Sequence, residues 1–202
     1  MSANSPDRPF ETLGEALLGV GLRPMRDDQA DYGQLAHWLT DERVLEWYEG
    51  RDQPYPLERV IAKFSPRVLM EEAVIPCFIL LDGRAVGYLQ LYPVSEAADY
   101  ELESAEDTWA FDLFVGEPEL WSTGVGSAAL RLAVFYVFEE RDARRAVVDP
   151  RVDNPRAIRA YEKLGFAKVK VLVGHEEHEG ARRDCWLMEL RAGRAALARL
   201  AH

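Results

Sequence analysis

Apolar residues recur along this chain with distinct periods, and each period predicts a different element. Runs at residues 20–25, 74–81, 84–92, 109–115, 145–148, 166–173 and 184–190 are unbroken or alternate, which predicts strands. Asp82-Gly83 between two of these runs makes residues 74–92 a hairpin with a tight turn. Helical spacing appears first at Tyr32, Leu35, Ala36 and Leu39, a stripe on a helix that Asp27 or Asp28 caps. A short helix over residues 41–48, ended by Gly50, comes next, and a third starts at Pro56 and runs to about residue 72, broken or bent near Pro66. Residues 126–140 are apolar almost all round, with Arg131 the only charge before Glu139, so this helix must be central. Asn154-Pro155 is a strong helix start, with Ala157, Ile158, Tyr161 and Leu164 on the inner face and Gly165 as the stop.

The remaining segments are polar. Residues 1–14 read as a loose leader, residues 15–20 carry no assignable pattern, and residues 174–180 read as a polar loop joining the last two strands. Residues 191–202 form a tail with the composition of a short Ala/Arg helix. The order of elements predicts an α+β (mixed α/β) fold, a largely antiparallel central sheet flanked by helices, as one domain over residues 15–190.

Two places in this pattern carry candidate chemistry. In the strand at 109–115, Trp109, Phe111, Leu113 and Val115 share one face, and Asp112 shares the other with Ala110 and Phe114. A carboxylate among apolar neighbours is paired, protonated or working on a ligand, since burying it unpaired costs several kcal/mol. After that strand, Gly124 and Gly126 open the central helix. Glycines there either ease packing or let a phosphate approach the unsatisfied first amides of the helix. Gly124-Val-Gly126 also fits a loose dinucleotide fingerprint with Asp149 as the ribose ligand. Its strand ends too early for that, however, and the chain is too short for a second nucleotide-binding half.

Composition narrows the classes. With 202 residues and 48% hydrophobic content the chain can bury one core. No apolar run reaches membrane-spanning length and residues 1–10 lack a secretory pattern, so the protein reads as soluble and cytoplasmic. Cys77 and Cys185 lie in apolar runs, as buried free thiols would. The net charge of −11 argues against nucleic acid and favours a cationic partner if the acid is concentrated. It is dense at Glu96, Asp99, Glu101, Glu103, Glu106 and Asp107, a stretch without a basic residue, which is otherwise a solvated loop. His175 and His178 flank two glutamates without HExxH spacing, so a solvated loop is favoured over a metal site.

The segment NPRAIRAYEKLGF at 154–166, together with the Gly124/Gly126 loop, resembles the GNAT superfamily of N-acetyltransferases. Residues 38–52, Gly87-Tyr88, 111–118 and 178–189 are similar to aminoglycoside 6′-N-acetyltransferases, and most of all to the acetyltransferase half of the bifunctional acetyltransferase-phosphotransferase; the likeness extends over residues 22–190. It implies transfer of acetyl from acetyl-CoA, without a metal, directly to an amine. Amides of Ser122, Thr123, Gly124, Val125, Gly126 and Ser127 would hold the pyrophosphate. Backbone at Leu113, Phe114 and Val115 would pair with the pantetheine arm, and Asn154 would bond it near the thiol. Asp112, or second to it Asp99, would accept the amine's proton, and Tyr161 would protonate the leaving thiolate. A cationic aminoglycoside would sit against Asp99, Glu101, Asp112 and Asp149, with Glu42, Glu46, Trp47 and Tyr48 as a further wall. In one respect the chain departs from the superfamily. Trp121 stands where Gln or Arg often precedes the loop, so some of the pyrophosphate contact must come from backbone amides alone. A peptide or polyamine acceptor, or a non-catalytic acyl-CoA or drug-binding module, is the alternative, and the molecule is expected to be a monomer or homodimer.

Overall fold

The structure, a computed structural model, describes residues 13–16 and 19–200. Most of the expected leader, residues 1–14, lies outside them. A strand that no apolar pattern announced, β1 (Leu13–Ala16), pairs antiparallel with β2 (Val20–Pro24). Asp28 accepts the amide of Asp31 and caps α1 (Gln29–Trp38), and the stripe of Tyr32, Leu35, Ala36 and Leu39 is buried as expected. The next helix, α2 (Glu42–Leu45), is one turn rather than the span 41–48. Asp41 caps it, but the chain reaches left-handed backbone at Glu49 (φ 70°) and Gly50 (φ 101°), which a right-handed helix cannot pass. α3 (Leu57–Val68) carries Pro66 in its last turn, where the lost donor removes a bond to the turn before, and stops short of residue 72.

β3 (Ile75–Leu81) and β4 (Arg84–Pro93) form the expected hairpin, with φ 49° at Asp82 and 79° at Gly83. Positive φ at both central residues matches the strand twist, which is why Asp-Gly is favoured there. The acidic stretch holds a 3-10 turn (Ala97–Tyr100) and leads into β5 (Thr108–Val115). α4 (Val125–Glu140), β6 (Arg145–Val148) and α5 (Pro155–Leu164) follow as predicted. The expected polar loop at 174–180 is instead strand. β7 (Ala167–His178) and β8 (Ala181–Arg191) stay paired through Glu176↔Arg183 and Glu177↔Arg182 to a turn at Glu179 and Gly180. Polar side chains do not end a strand whose backbone keeps a partner. Within the tail, α6 (Arg194–Leu200) buries Leu200 against the main core.

The strands form one sheet in the order β1-β2-β3-β4-β5-β6-β8-β7, with every pairing antiparallel except β5 with β6. Alternation sorts the side chains between two faces. Cys77, Ile79, Leu89, Leu91 and Phe111 pack with α4, while Phe78, Tyr88 and Phe114 pack with α1 and α3. The pairing that matters for function is incomplete. β4 accompanies β5 as far as Gly87↔Val115, but β6 leaves β5 after Ala110↔Val147. The edge of β5 from Phe111 onward therefore opens into a cleft between two parallel strands that splay apart. Cys77 and Cys185 are buried free thiols, and among the described residues no helix is long and apolar enough to cross a membrane.

Candidate active site

A cavity of about 820 Å³ occupies this cleft, a volume in the range of small-molecule sites. Asp112, Leu113, Phe114 and Val115 of β5 line it, as do Asn154 and Tyr161 of α5, so two segments far apart in sequence meet as expected. Ser122, Thr123, Gly124, Gly126 and Ser127 border it at the start of α4, with Val125 buried beneath them. Trp47, Tyr48 and Asp149 complete the expected lining. Glu42, Asp99 and Glu101 do not reach it. All three are exposed, and Glu101 pairs with Lys170 at 3.0 Å.

The start of α4 is built to receive an anion. Ser122 (φ 65°) and Gly124 (φ 99°) are left-handed, which turns the loop so that the helix begins facing the cavity. No side chain caps it, and Ala128 is the first residue whose amide bonds back, to Gly124 at 2.9 Å. The amides of residues 124–127 are thus available at the positive end of the dipole, whereas that of Thr123, expected to join them, donates to the Leu120 carbonyl at 3.4 Å. A Cβ on Gly126 would meet Val115 only at 3.5 Å, ordinary contact, so packing does not demand glycine there.

Asp112 is held by a network that sequence reasoning missed. Its Oδ2 accepts from the Gln90 amide at 2.6 Å and the Tyr92 hydroxyl at 3.1 Å. Gln90 is itself oriented, because its Oε1 accepts from Tyr88 and from Arg67, each at 2.8 Å. With its oxygen occupied, Gln90 must turn its N–H toward Asp112. The sequence carried only part of the signal: Gln90 interrupts an apolar strand, whereas its place cross-strand from Asp112 comes from the strand pairing. Burial and the nearby Asp149 push the Asp112 carboxyl up to about 6, against the opposing hydrogen bonds. It is therefore mostly ionised at neutral pH yet able to take up a proton.

Around it lie further titratable groups. His175 pairs with Asp149 at 2.9 Å, which raises the imidazole's pKa, while burial raises that of Glu176. Neither His175 nor His178 belongs to a solvated loop: His178 is 2% exposed and burial lowers its pKa. Burial also raises the Tyr161 hydroxyl above its ordinary value, with the Asp112 charge adding to it. Among the described residues no group hydrogen-bonds that hydroxyl, so it remains a proton carried as O–H beside the cavity. Trp121 donates its indole N–H to the Val115 carbonyl at 2.8 Å.

A splayed parallel pair, an uncapped glycine loop opening a central helix, a carboxylate with a raised pKa and a half-buried tyrosine come together at one cavity. Residues 27–173 match the acetyltransferase (GNAT) domain family, and the chain belongs to it as an N-acetyltransferase. It is 30% identical over 151 residues, 74% of each chain, to aminoglycoside N(6')-acetyltransferase type 1 of Klebsiella pneumoniae. It is 28% identical over 177 residues to N(6)-hydroxylysine O-acetyltransferase of Escherichia coli, covering 82% of this chain and 54% of that one. The crystal structure of aminoglycoside acetyltransferase AAC(6')-Ib in complex with coenzyme A and kanamycin superposes with a TM-score of 0.74 at 27% identity, covering 91% of this chain and 99% of that one.

Proposed function

We propose that this N-acetyltransferase, acting through residues 15–190 in the cytoplasm, moves acetyl from acetyl-CoA directly to the 6′-amine of an aminoglycoside and so gives resistance to the drug. The observation that carries this reading is the opposite polarity of the two ends of one cavity. Free helix amides lie at the start of α4, and the carboxylates Asp112, Asp149 and Glu176 converge at the other end. An anionic donor and a polycationic acceptor each find a matching wall.

Acetyl-CoA supplies the acetyl group as a thioester. The amides of residues 124–127 bind its phosphates, and the open edge of β5 at Leu113 and Val115 pairs with its amide-bearing arm. A β5 amide turned toward the thioester oxygen polarises the carbonyl. Asn154 accepts the Ala157 amide at 3.1 Å through its oxygen, which leaves its NH₂ to bond the same arm. Asp112 takes a proton from the acceptor's ammonium group, so that the nitrogen lone pair forms the new C–N bond. As the C–S bond breaks, Tyr161 gives its hydroxyl proton to the departing sulfur and recovers one from the acylated nitrogen, which leaves a neutral amide, a neutral thiol and a restored tyrosine. Asp149 and Glu176 attract the remaining ammonium groups, and Trp47 and Tyr48 offer flat faces to sugar rings.

Thiol release from acetyl-CoA, with kanamycin and with its 6′-hydroxyl counterpart as acceptors, tests this reading. Rapid release with the amine and little with the hydroxyl compound is expected. Equal release with both would move the acceptor atom toward oxygen. Tight acetyl-CoA binding without release would discard the aminoglycoside and bring forward a peptide amine.

A further inference from the structure

The loop that opens α4 has no cationic side chain: Trp121, Ser122 and Thr123 stand before Gly124. Trp121 has another task. Its indole is fixed by the bond to the Val115 carbonyl, and on its face lies the guanidinium of Arg156, 4.0 Å from the ring centroid. The Trp47 ring stands 5.7 Å away. Stacking occupies the face of a guanidinium and leaves its N–H donors free at the edge.

Three observations set Arg156 apart. It lines the cavity, half-buried, on the same wall as the α4 loop. Cations that other elements bring to the cavity are matched: Arg151 with Asp153 at 3.0 Å, Arg67 with Glu72 at 3.1 Å, and Lys63 with Glu49. Arg156 has no carboxylate within ion-pair distance among the described residues and feels only a longer-range attraction to Glu46, in a chain of net charge −11 where carboxylates abound. Finally, it occupies the first turn of α5, next to Pro155, where the helix dipole disfavours a positive charge. Neither ion pairing nor helix stability accounts for it. Arg159 and Lys163 line the same cavity from the same face of α5 and also lack an ion-pair partner among the described residues.

We propose that Arg156, oriented by Trp121, is the side chain that binds a phosphate of coenzyme A, with Arg159 and Lys163 extending the basic strip along α5. This adds a side chain to the expected backbone amides, and it rests on the cofactor reading above. The planar fork suits a phosphate's paired oxygens. The phosphate is either in the pyrophosphate or at the ribose 3′ position.

The test is a set of dissociation constants for CoA, dephospho-CoA and pantetheine, by calorimetry or ligand-observed NMR, in the wild type, Arg156→Ala and Arg156→Lys. Arg156→Ala should weaken CoA roughly tenfold or more, flatten its salt dependence and leave pantetheine unchanged, with partial recovery in Arg156→Lys. Equal loss for dephospho-CoA assigns the pyrophosphate; loss for CoA alone assigns the 3′-phosphate. Unchanged CoA affinity, or equal weakening of pantetheine, overturns the proposal. Should Arg156→Ala fold poorly, Arg156→Gln applies the same criteria. A wild type that does not bind CoA at all would sink the cofactor reading itself.

Discussion

At the α4–α5 end of the cavity, positive potential comes from backbone amides and from cations that form no ion pair among the described residues. At the β4–β5–β7 end, negative potential comes from carboxylates, and those nearest the chemistry are held by neighbours: Asp112 by Gln90 and Tyr92, Asp149 by His175. The difference follows from how charge can be buried. The first amides of a helix are left without an intrahelical partner as soon as the helix forms, so a dipole at its end needs no further scaffold. A carboxylate loses its hydration and must regain hydrogen bonds from side chains that are themselves oriented, here Gln90 by Arg67 and Tyr88. The acidic end should therefore be sensitive to single changes several ångströms from the substrate, and the basic end only to groups that touch the ligand.

The largest effect that would sharpen this contrast is Asp112→Asn. It should lower kcat/KM by about 10²–10⁴-fold, the range for a lost general base. In the wild type, activity should rise with pH as Asp112 ionises near 6 and then level off, and that acid limb should vanish in the variant. Asp99→Asn, exposed and outside the cavity, should change kcat/KM by less than about twofold, as surface substitutions usually do. A larger loss at Asp99 than at Asp112 would break the comparison.

A smaller effect belongs to Gln90→Leu. Gln90 donates to the ionised carboxylate and so holds its pKa down. Removing that bond should move the acid limb upward by about one pH unit, given the worth of a hydrogen bond to a charged group. A limb that stays in place would mean Gln90 only packs. Smallest is Asn154→Ala, which removes the cap of α5 and should cost about 1 kcal/mol, read as a fall in Tm of roughly 2–4 °C.

Much of the fold was legible because it is written in local rules. Asp28 and Asn154 cap helices, Asp82-Gly83 makes the tight turn and Gly165 (φ 100°) ends α5, all through interactions a few residues apart. The 174–180 segment was misread for the complementary reason. Its polarity resembles a loop, and only the partner strand, through pairs such as Glu176↔Arg183, keeps it extended. The acidic stretch at 96–107 misled similarly: density of charge in sequence is not position in space, and Asp99 and Glu101 face solvent.

For the site, the sequence by itself determined the chemistry-bearing groups that local pattern exposes: a carboxylate in an apolar strand, two glycines before a buried helix, and an Asn-to-Tyr spacing on an amphipathic one. Only the tertiary structure decided which distant groups meet them. Gln90 reaches Asp112 because β4 and β5 pair in one register, and Arg156 reaches Trp121 because α5 packs across the mouth of the α4 loop. Backbone conformation depends on neighbours in the chain, whereas the environment of a charge depends on neighbours in space. No period along the sequence records those.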